Sequence, residues 1–511
     1  MNATIEQAIS PQQKYGINPK LFIDHEAPPE YQAGALDRKE LIERASARIE
    51  DFRRLRDAGL IQKDGDFYPS VHYPPIVMYP PMSDDDLLEG YTLPEDGMVD
   101  IYAHVPFCNS HCVFCHYPVK TGLQLQEKTK YLEAFLKEMD IWRDRLGVEK
   151  IKARSVLVGG GTPTFLAIEQ LRRFLDGFCE RSDLSMCRQF NYDVDPNTLI
   201  GPEGSKRLAM LREYGVDRLT IGVQSLNADI LKKMGRHHGP EEALEAIKDC
   251  LAMGFVVNIE FIFGYPGQNI ENWLDVIEEA CKLGVHEIQL YRLKVEAYGD
   301  HQGAVKNYME KKPELAPSNE EQFLMKQSAI LMLNHYGYFE NLRRVFSRRR
   351  GDYSVYAHNQ CCVQFDQIGI GLTAFSSMRD RFAIMTQNFE EYYETIAKGH
   401  LPINRGYIRT PEDQARWGIV LPIKNRDVRP VNYNRVTGLE LNKVFRGKVE
   451  ALKAHGVLEE SEYKLALTRL GAFFADEIAH QFHHPDFIPY PKDDYLDGPL
   501  NPYLNQEFSS K

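Results

Sequence analysis

The sequence predicts an α/β fold: a partial (β/α)6 barrel with an N-terminal extension and a smaller α/β or helical domain at the C-terminus. Six short runs are rich in Val, Ile, Leu and aromatic residues, as strands are. Amphipathic segments alternate with these runs. After a first insertion, successive strand starts lie roughly 28 to 38 residues apart, the size of one β/α unit. Right-handed crossovers of this length build a parallel sheet.

The strands are predicted from the apolar runs, and the helices from apolar positions that share one helical face. The predicted strands are Ile101–Val105, Ser155–Val158, Phe190–Val194, Arg218–Val223, Val256–Phe263 and Glu287–Tyr291. The predicted helices are Leu132–Leu146, Ile168–Phe178, Ser205–Tyr214, Glu241–Met253 and Glu271–Leu283. Glycine follows four of these helices closely, which is typical of a helix C-terminus.

Changes of pattern along the chain predict four segments. Residues 1–95 are irregular and contain two Tyr-Pro-Pro runs, which favour extended backbone, so they form an N-terminal extension. Residues 96–300 form the partial barrel. Residues 301–400 form a segment that caps the barrel and meets the substrate, and residues 401–511 form a C-terminal subdomain.

The amino-acid composition excludes several classes of protein. Hydrophobic residues make up 43% and charged residues 26% of the 511, which is typical of a globular protein. The 61 Lys and Arg against 73 Asp and Glu leave a net charge of −12, so the basic surface of a nucleic-acid binder is not expected. No apolar run reaches the length of a membrane span, and the first residues do not resemble a signal peptide. A cytoplasmic protein without nucleic-acid or membrane partners is predicted.

Three of the nine cysteines are concentrated directly after the first predicted strand. Cys108, Cys112 and Cys115 have the spacing C-x-x-x-C-x-x-C. Four thiolates would close a four-iron, four-sulfur cluster, whereas three leave one iron without a protein ligand. That iron is then a binding site for a substrate or a cofactor.

A zinc site of the Cys3His type is the alternative for these thiols. Its fourth ligand would be His104, His111 or His116. Spacing alone does not exclude zinc, but the neighbouring motifs favour iron and sulfur.

The run Tyr102-x-His104-x-Pro106-Phe107-Cys108 resembles the radical S-adenosylmethionine (SAM) enzymes, in particular the family of oxygen-independent coproporphyrinogen III oxidase. The resemblance covers roughly residues 70–380. It implies that the open iron binds SAM and that one-electron reduction cleaves SAM to methionine and a 5′-deoxyadenosyl radical. It also implies a 4Fe-4S cluster, one or two SAM molecules and an external one-electron donor such as flavodoxin.

The segment Gly159-Gly160-Gly161-Thr162-Pro163 matches the glycine motif of that family. Its bare backbone would let the amino group of SAM approach, which makes Gly160, Gly161 and Thr162 candidate cofactor contacts. A phosphate loop is an alternative, but no Gly-Lys-Ser/Thr follows. A tight turn between a strand and a helix is another.

Five further positions match SAM-binding positions of the family. Tyr102 would lie against the sulfonium region, and Gln224 would hold the adenosyl part; both are also candidate catalytic residues. Asp193 replaces a Glu of the acidic motif, and Glu260 replaces an Asp that grips the ribose hydroxyls. The guanidinium of Arg236 suits the SAM carboxylate.

One departure from the family bears on the reaction. Coproporphyrinogen oxidases continue the cluster motif as C-x-C, and Tyr117 occupies the second of those positions here. This favours C-methylation or cyclopropanation of a small molecule over oxidative decarboxylation. A decarboxylase of the coproporphyrinogen type and a non-enzymatic heme chaperone are the alternatives. A carboxylate-bearing substrate is one candidate class.

A basic run lies outside the predicted barrel. Arg343-Arg344 and Arg348-Arg349-Arg350 place five guanidinium groups in eight positions. Such a run is either solvated surface or a clamp for carboxylate or phosphate over the barrel mouth.

Overall fold

The computed structural model describes residues 9–65, 68–69, 71–122, 124–293, 295–297, 300–301 and 303–508. Its main sheet has 13 strands, of which Ser182–Asp183 is attached at the side. The other twelve are β1 (Met98–Val105), β2 (Ile151–Gly160), β3 (Phe190–Val194), β4 (Arg218–Gln224), β5 (Val256–Phe263), β6 (Glu287–Arg292), β7 (Phe339–Leu342), β8 (Val345–Ser347), β9 (Gln367–Ile370), β10 (Phe375–Met378), β11 (Arg381–Met385) and β12 (Ile403–Ile408).

The first six strands lie side by side in chain order, and every neighbouring pair is parallel. This confirms the predicted (β/α)6 architecture. The strand order of the described residues has two ends, so the sheet is open. The strands β1 and β2 begin three and four residues before the predicted starts, because the pairing of Met98 with Lys152 and of Val99 with Ala153 extends the ladder beyond the predicted runs.

Residues beyond 300 extend the sheet at both edges. The strand β9 pairs with β1 in parallel, and β10, β11 and β12 follow as an antiparallel meander. At the other edge, β8 pairs with β6, and β7 pairs with β8, both antiparallel. The segment predicted to cap the barrel therefore also supplies strands to its sheet.

The helices between the barrel strands include all five predicted ones, the first of which begins seven residues early at Leu125, and one that was not predicted, Ala228–Lys233. They are Leu125–Leu146, Ile168–Arg181, Gly201–Glu213, Ala228–Lys233, Pro240–Ala252 and Ile270–Lys282. The remaining helices are Pro11–Tyr15, Arg38–Ser46, Ile49–Asp57, Asp84–Leu88, Gly303–Lys311, Asn319–His335, Val355–His358, Phe389–Ala397, Pro411–Asn425, Pro430–Thr437, Arg446–Ala454 and Ala475–His480. None of these helices, within the residues described, combines the length and apolar character that a membrane span requires.

The N-terminal extension runs along the outside of the barrel helices. The Asn18 side chain donates to the carbonyl of Cys187 at 2.8 Å, and Arg38 donates to Asp275 at 2.6 Å. Leu41 is 4% exposed in the same hydrophobic core as the barrel strands. The extension is thus an integral part of the fold.

A second hydrophobic core joins the two ends of the chain. It contains Phe52 and Tyr73 from the extension together with Trp417, Leu452 and Phe482 from the C-terminal region. A small antiparallel sheet of Asp427–Val428, Leu458–Glu460 and Leu465–Leu467 belongs to this region. The predicted domain boundaries stay predictions, and the cores show that the two terminal segments pack as one unit.

Candidate functional site

The three clustered cysteines lie on the loop that follows β1. Phe107–Cys108 pairs with Lys120–Thr121, so the loop leaves the sheet and returns beside its own start. All three thiols are partly buried and line one cavity of about 300 Å³. Of the other predicted site residues, Gly160, Gly161, Thr162, Gln224 and Arg236 line the same cavity.

The glycine motif follows β2 and lies directly against the cysteine loop. The Gly161 amide donates to the carbonyl of Val105 at 2.9 Å. A Cβ atom on Gly161 would lie 2.7 Å from the Phe107 carbonyl oxygen and 3.0 Å from the Cys108 sulfur. The Thr162 hydroxyl lies 3.6 Å from the same sulfur. Only glycine allows this close approach, because the atoms opposed to a Cβ here include rigid backbone.

Arg236 connects the end of β4 to the cysteine loop. Its Nη2 donates to Asp195 Oδ2 and to the carbonyl of Gly222, both at 2.6 Å. Its Nη1 donates to the sulfur of Cys112 at 3.3 Å. The Nε atom is buried without a hydrogen-bond partner among the described residues. This guanidinium therefore places a positive charge directly beside the thiols.

The chemistry of these residues fits a four-iron, four-sulfur cluster. Burial raises the pKa of Cys108 to about 12 and that of Cys115 to about 11, and a metal must displace the thiol proton to bind. Thiolates are the usual ligands of iron–sulfur clusters, and Cys108, Cys112 and Cys115 would hold one here. Across the part of the chain that the structure describes, no group of three or more His, Cys, Asp or Glu side chains is arranged to hold a single metal ion.

The histidine beside the loop has other partners. The His104 ring is buried, and its Nδ1 lies 2.9 Å from the Tyr102 hydroxyl. The Thr373 hydroxyl lies 3.3 Å from its Nε2. Burial lowers the pKa of His104 to about 3, so the ring is neutral at pH 7. These contacts therefore do not support a zinc site in which His104 is the fourth ligand.

The remaining predicted site residues form a second group outside the cavity wall. Tyr102, Asp193 and Glu260 do not line the 300 Å³ cavity. A Cβ atom on Gly159 would collide with the Asp193 carboxylate and lie 3.6 Å from the Tyr102 ring. Both residues therefore flank Gly159, whose neighbour Gly160 does line the cavity.

The two acidic members of this second group have raised pKa values. Burial, above all, raises the pKa of Asp193 to about 6 and that of Glu260 to about 8. The negative charge of Asp193 also raises the pKa of Glu260. Asn191 donates to Asp193 at 3.1 Å, and the Tyr291 hydroxyl donates to Glu260 at 3.3 Å. A polar ligand would find both hydrogen-bond donors and acceptors here.

Gln224 has a special backbone conformation at the end of β4. Its φ angle is +68°, and the pairing with β5 shifts register between Gly222 and Gln224. The bulge turns this side chain toward the cavity that the thiols line. Left-handed backbone at a non-glycine residue is uncommon and is often retained at functional sites.

Sequence reasoning missed several polar residues of the cavity. They are Thr164, Asn197, Thr198, Arg207 and His237. Thr164, Asn197 and Thr198 follow the ends of β2 and β3, so their position after strand ends was an available signal. Arg207 lies within the helix Gly201–Glu213, and no local pattern distinguishes it from a surface arginine.

Three arginines of the basic run form contacts within the fold. Arg343 is buried and forms an ion pair with Asp476 of the C-terminal region. Arg348 and Arg349 donate to backbone carbonyls, among them those of Pro29 and Glu26. These guanidinium groups connect parts of the fold.

Comparison with known families agrees with this geometry. The sequence pattern of the radical SAM superfamily matches residues 102–280, from β1 into the helix Ile270–Lys282. The match includes the three cysteines, the glycine motif and Arg236. The chain contains a radical SAM domain. This class uses a 4Fe-4S cluster and SAM, as the resemblance in the sequence implies.

Two curated relatives extend the similarity beyond the radical SAM domain. The heme chaperone HemW of Bacillus subtilis is 25% identical over 395 residues, which cover 75% of this chain and 99% of the relative. An oxygen-independent coproporphyrinogen III oxidase of Helicobacter pylori is 26% identical over 408 residues, which cover 75% of this chain and 85% of the relative. The predicted resemblance to the coproporphyrinogen oxidase family and its heme-chaperone relatives is confirmed.

A solved structure shows the same fold. Coproporphyrinogen III oxidase (HemN) from Escherichia coli matches with a TM-score of 0.67 and 21% identity. The match covers 78% of this chain and 93% of that protein. The radical SAM domain and most of the surrounding structure therefore share one architecture with HemN.

Proposed function

We propose that this protein is a radical SAM enzyme that abstracts a hydrogen atom from a carboxylate-bearing tetrapyrrole. The observation that carries the proposal is the convergence of Cys108, Cys112 and Cys115 with Gly161 and Arg236 on one cavity. Two of the relatives reported above support the substrate class, since one is a coproporphyrinogen III oxidase and the other a heme chaperone.

The chain's own residues have distinct roles in this proposal. Cys108, Cys112 and Cys115 hold the cluster, which when bound supplies the electron that cleaves SAM. The backbone at Gly161 leaves space beside the cluster, and the positive charge of Arg236 faces the same space. The protein thus supplies positioning and a partly dehydrated cavity.

The second polar group receives the rest of SAM in this proposal. Asp193 offers carboxyl oxygens beside Gly159, as Tyr102 does its ring, and the charge of Asp193 is felt by the carboxyl of Glu260. Gln224 lines the cavity itself. The high pKa of Glu260 means that its carboxyl is largely protonated at pH 7 when no ligand is bound. A hydroxyl-bearing ligand can therefore accept a hydrogen bond from it as well as donate one.

The relatives favour tetrapyrrole chemistry over the methyl transfer or cyclopropanation that the sequence alone favours. Tyr117 nevertheless replaces the second cysteine of the C-x-C motif of coproporphyrinogen oxidases, so the proposal extends to hydrogen abstraction and does not specify the product. This tyrosine is 56% exposed, and its ring lies 6.2 Å from that of His104.

The test uses anaerobically reconstituted protein, a one-electron reductant, SAM and coproporphyrinogen III. Mass spectrometry should detect 5′-deoxyadenosine in an amount that rises with the tetrapyrrole, together with a tetrapyrrole of altered mass. An unchanged tetrapyrrole would contradict the proposal. Formation of S-adenosylhomocysteine in the presence of a different substrate would then favour methyl transfer.

A heme chaperone is the second candidate, because the match to HemW spans 99% of that relative. Adding heme to the same reconstituted protein separates the two functions. A chaperone would bind heme tightly, with a shifted Soret absorption band, and would leave the tetrapyrrole chemically unchanged.

A further inference from the structure

Arg207 is a cation in the wall of the cluster cavity, without an acidic partner. It lies in the helix Gly201–Glu213 and lines the same cavity as the three cysteine thiols. Its Nη1 donates to the carbonyl of Thr198 at 3.4 Å, and its Nε is buried without a partner. Among the described residues, no carboxylate lies within ion-pair distance of it; the nearby Glu203 pairs with Lys206 at 2.8 Å.

Arg236, in the same cavity, has more hydrogen-bond partners than Arg207. Arg236 donates to Asp195, to a carbonyl and to a sulfur, so its charge is compensated. The guanidinium of Arg207 has five N–H donors and uses one of them, in a long hydrogen bond. The cavity therefore has one arginine with an ion-pair partner and one without.

A second cation increases the local positive charge. Lys128 is 7% exposed, donates to the Phe165 carbonyl at 2.9 Å and lies 3.4 Å above the Phe165 ring. Burial and the charge of Arg207 both lower the pKa of Lys128. Two like charges in a partly dehydrated site repel each other, and a bound anion would offset that repulsion.

Neutral donors complete this wall of the cavity. The hydroxyls of Thr164 and Thr198 lie 2.6 Å apart, and both residues line the cavity with Asn197. Hydroxyls beside a guanidinium suit a planar carboxylate, which an arginine binds with two parallel hydrogen bonds.

We infer that Arg207 forms an anion subsite of the cluster cavity and binds a carboxylate group of the substrate. The inference rests on the proposed function for its substrate class. It adds a specificity-determining residue on the cavity wall, because binding at this subsite would orient the tetrapyrrole relative to the cysteine loop.

The test measures binding of coproporphyrin III, the stable oxidised form of the substrate, and of its tetramethyl ester, by fluorescence. Arg207→Gln should weaken binding of the acid about tenfold, the effect of losing one charge-assisted hydrogen-bonding group, and should leave binding of the ester unchanged. Arg207→Lys should restore part of the affinity. Lys206→Gln, which removes an exposed cation from the same helix, should bind the acid as the wild type does.

Four other outcomes would each contradict the assignment of Arg207 to a carboxylate subsite, and each has a different meaning. Equal binding of the acid by the wild type and Arg207→Gln would exclude the subsite and leave the proposed function intact. Failure of the wild type to bind either porphyrin would refute the proposed substrate class itself. Weaker SAM binding by Arg207→Gln, with porphyrin binding unchanged, would assign the guanidinium to the cofactor. Thermal stabilisation by inorganic phosphate that Arg207→Gln abolishes, again with porphyrin binding unchanged, would indicate a phosphorylated ligand.

Discussion

Arg236 donates a hydrogen bond to the sulfur of Cys112 at 3.3 Å, although 124 positions separate the two residues. The same guanidinium is fixed by Asp195 and by the Gly222 carbonyl, both at the carboxyl ends of barrel strands. The cysteine loop is thereby connected to the sheet by a side chain that carries a positive charge. The contact therefore holds this positive charge beside the sulfur of a proposed cluster ligand.

Arg236→Gln should lose both iron and activity. Hydrogen bonds to charged groups contribute about 1.5–3 kcal/mol each, and the substitution also leaves Asp195 without its ion-pair partner. We expect less iron per chain after reconstitution and at least tenfold slower formation of 5′-deoxyadenosine. Arg172→Gln, on the exposed face of the helix Ile168–Arg181, is the control. Normal iron content and rate in Arg236→Gln would refute the role of this contact.

Gly161→Ala should disturb the cysteine loop. The added Cβ would meet the Phe107 backbone at 2.7 Å and the Cys108 sulfur at 3.0 Å, so the backbone has to shift. Iron content and the visible absorption of the reconstituted protein should both fall. Gly34→Ala is a matched control, since a Cβ there meets nothing within 4 Å. An alanine variant at position 161 that retains a full cluster would show that the close approach is not required.

Glu138 predicts a pH dependence of stability. Its buried carboxylate accepts hydrogen bonds from the Gly371 amide at 2.9 Å and from the Tyr392 hydroxyl at 2.5 Å, and burial raises its pKa from 4.5 to about 8. Between those two values the unfolded chain ionises while the folded carboxyl stays protonated. Folding therefore takes up a proton, and this group lowers the free energy of unfolding by about 1.4 kcal/mol per pH unit as the pH rises.

Denaturant unfolding from pH 5 to pH 8 tests this sign. The free energy of unfolding of Glu138→Gln should fall less steeply than that of the wild type, because glutamine cannot ionise. Glu127→Gln, an exposed position on the same helix, should follow the wild type. Parallel pH profiles for wild type and Glu138→Gln would contradict the assigned protonation.

The ion pair between Arg343 and Asp476 should stabilise the contact between β8 and the C-terminal region. Asp476 is fully buried and faces Arg343, Arg344 and Lys424. Asp476→Asn would leave these cations without their counter-charge, which costs about 3–5 kcal/mol for a buried pair. Chemical denaturation should show this loss, while the exposed Asp493→Asn should change little. A loss below about 1 kcal/mol would contradict a stabilising role.

The local sequence pattern was sufficient to predict the six strands of the barrel. All six predicted strands and the helices between them are present, because apolar runs and helical faces are local signals of burial. The strands β7 to β12 escaped prediction, since several are short and the hairpins they form attach to barrel strands that lie far away in the chain. The strand β9, for example, pairs with β1 across more than 260 positions.

The site was predictable to the extent that motifs mark it. The cysteines, Gly160 to Thr162, Gln224 and Arg236 were all named from the sequence and line one cavity. Arg207, which also lines the cavity, and its neighbouring cation Lys128 were not named, because only the fold brings their two helices together. Neither alternative for the basic run, solvated surface or a clamp, includes the ion pair of Arg343, since its partner Asp476 lies 133 positions further along the chain.

The assignment of the three thiols to a cluster is tested most directly by measuring iron, sulfide and 5′-deoxyadenosine in anaerobically reconstituted wild type, Cys112→Ala and Cys361→Ala. We expect about four irons and four sulfides per chain, and SAM cleavage on reduction, in the wild type and in Cys361→Ala, whose substituted thiol lies outside the cavity. Cys112→Ala should lose the cluster and the product. Undiminished 5′-deoxyadenosine from Cys112→Ala, or a wild type that binds zinc in place of iron, would contradict the assignment of the three thiols.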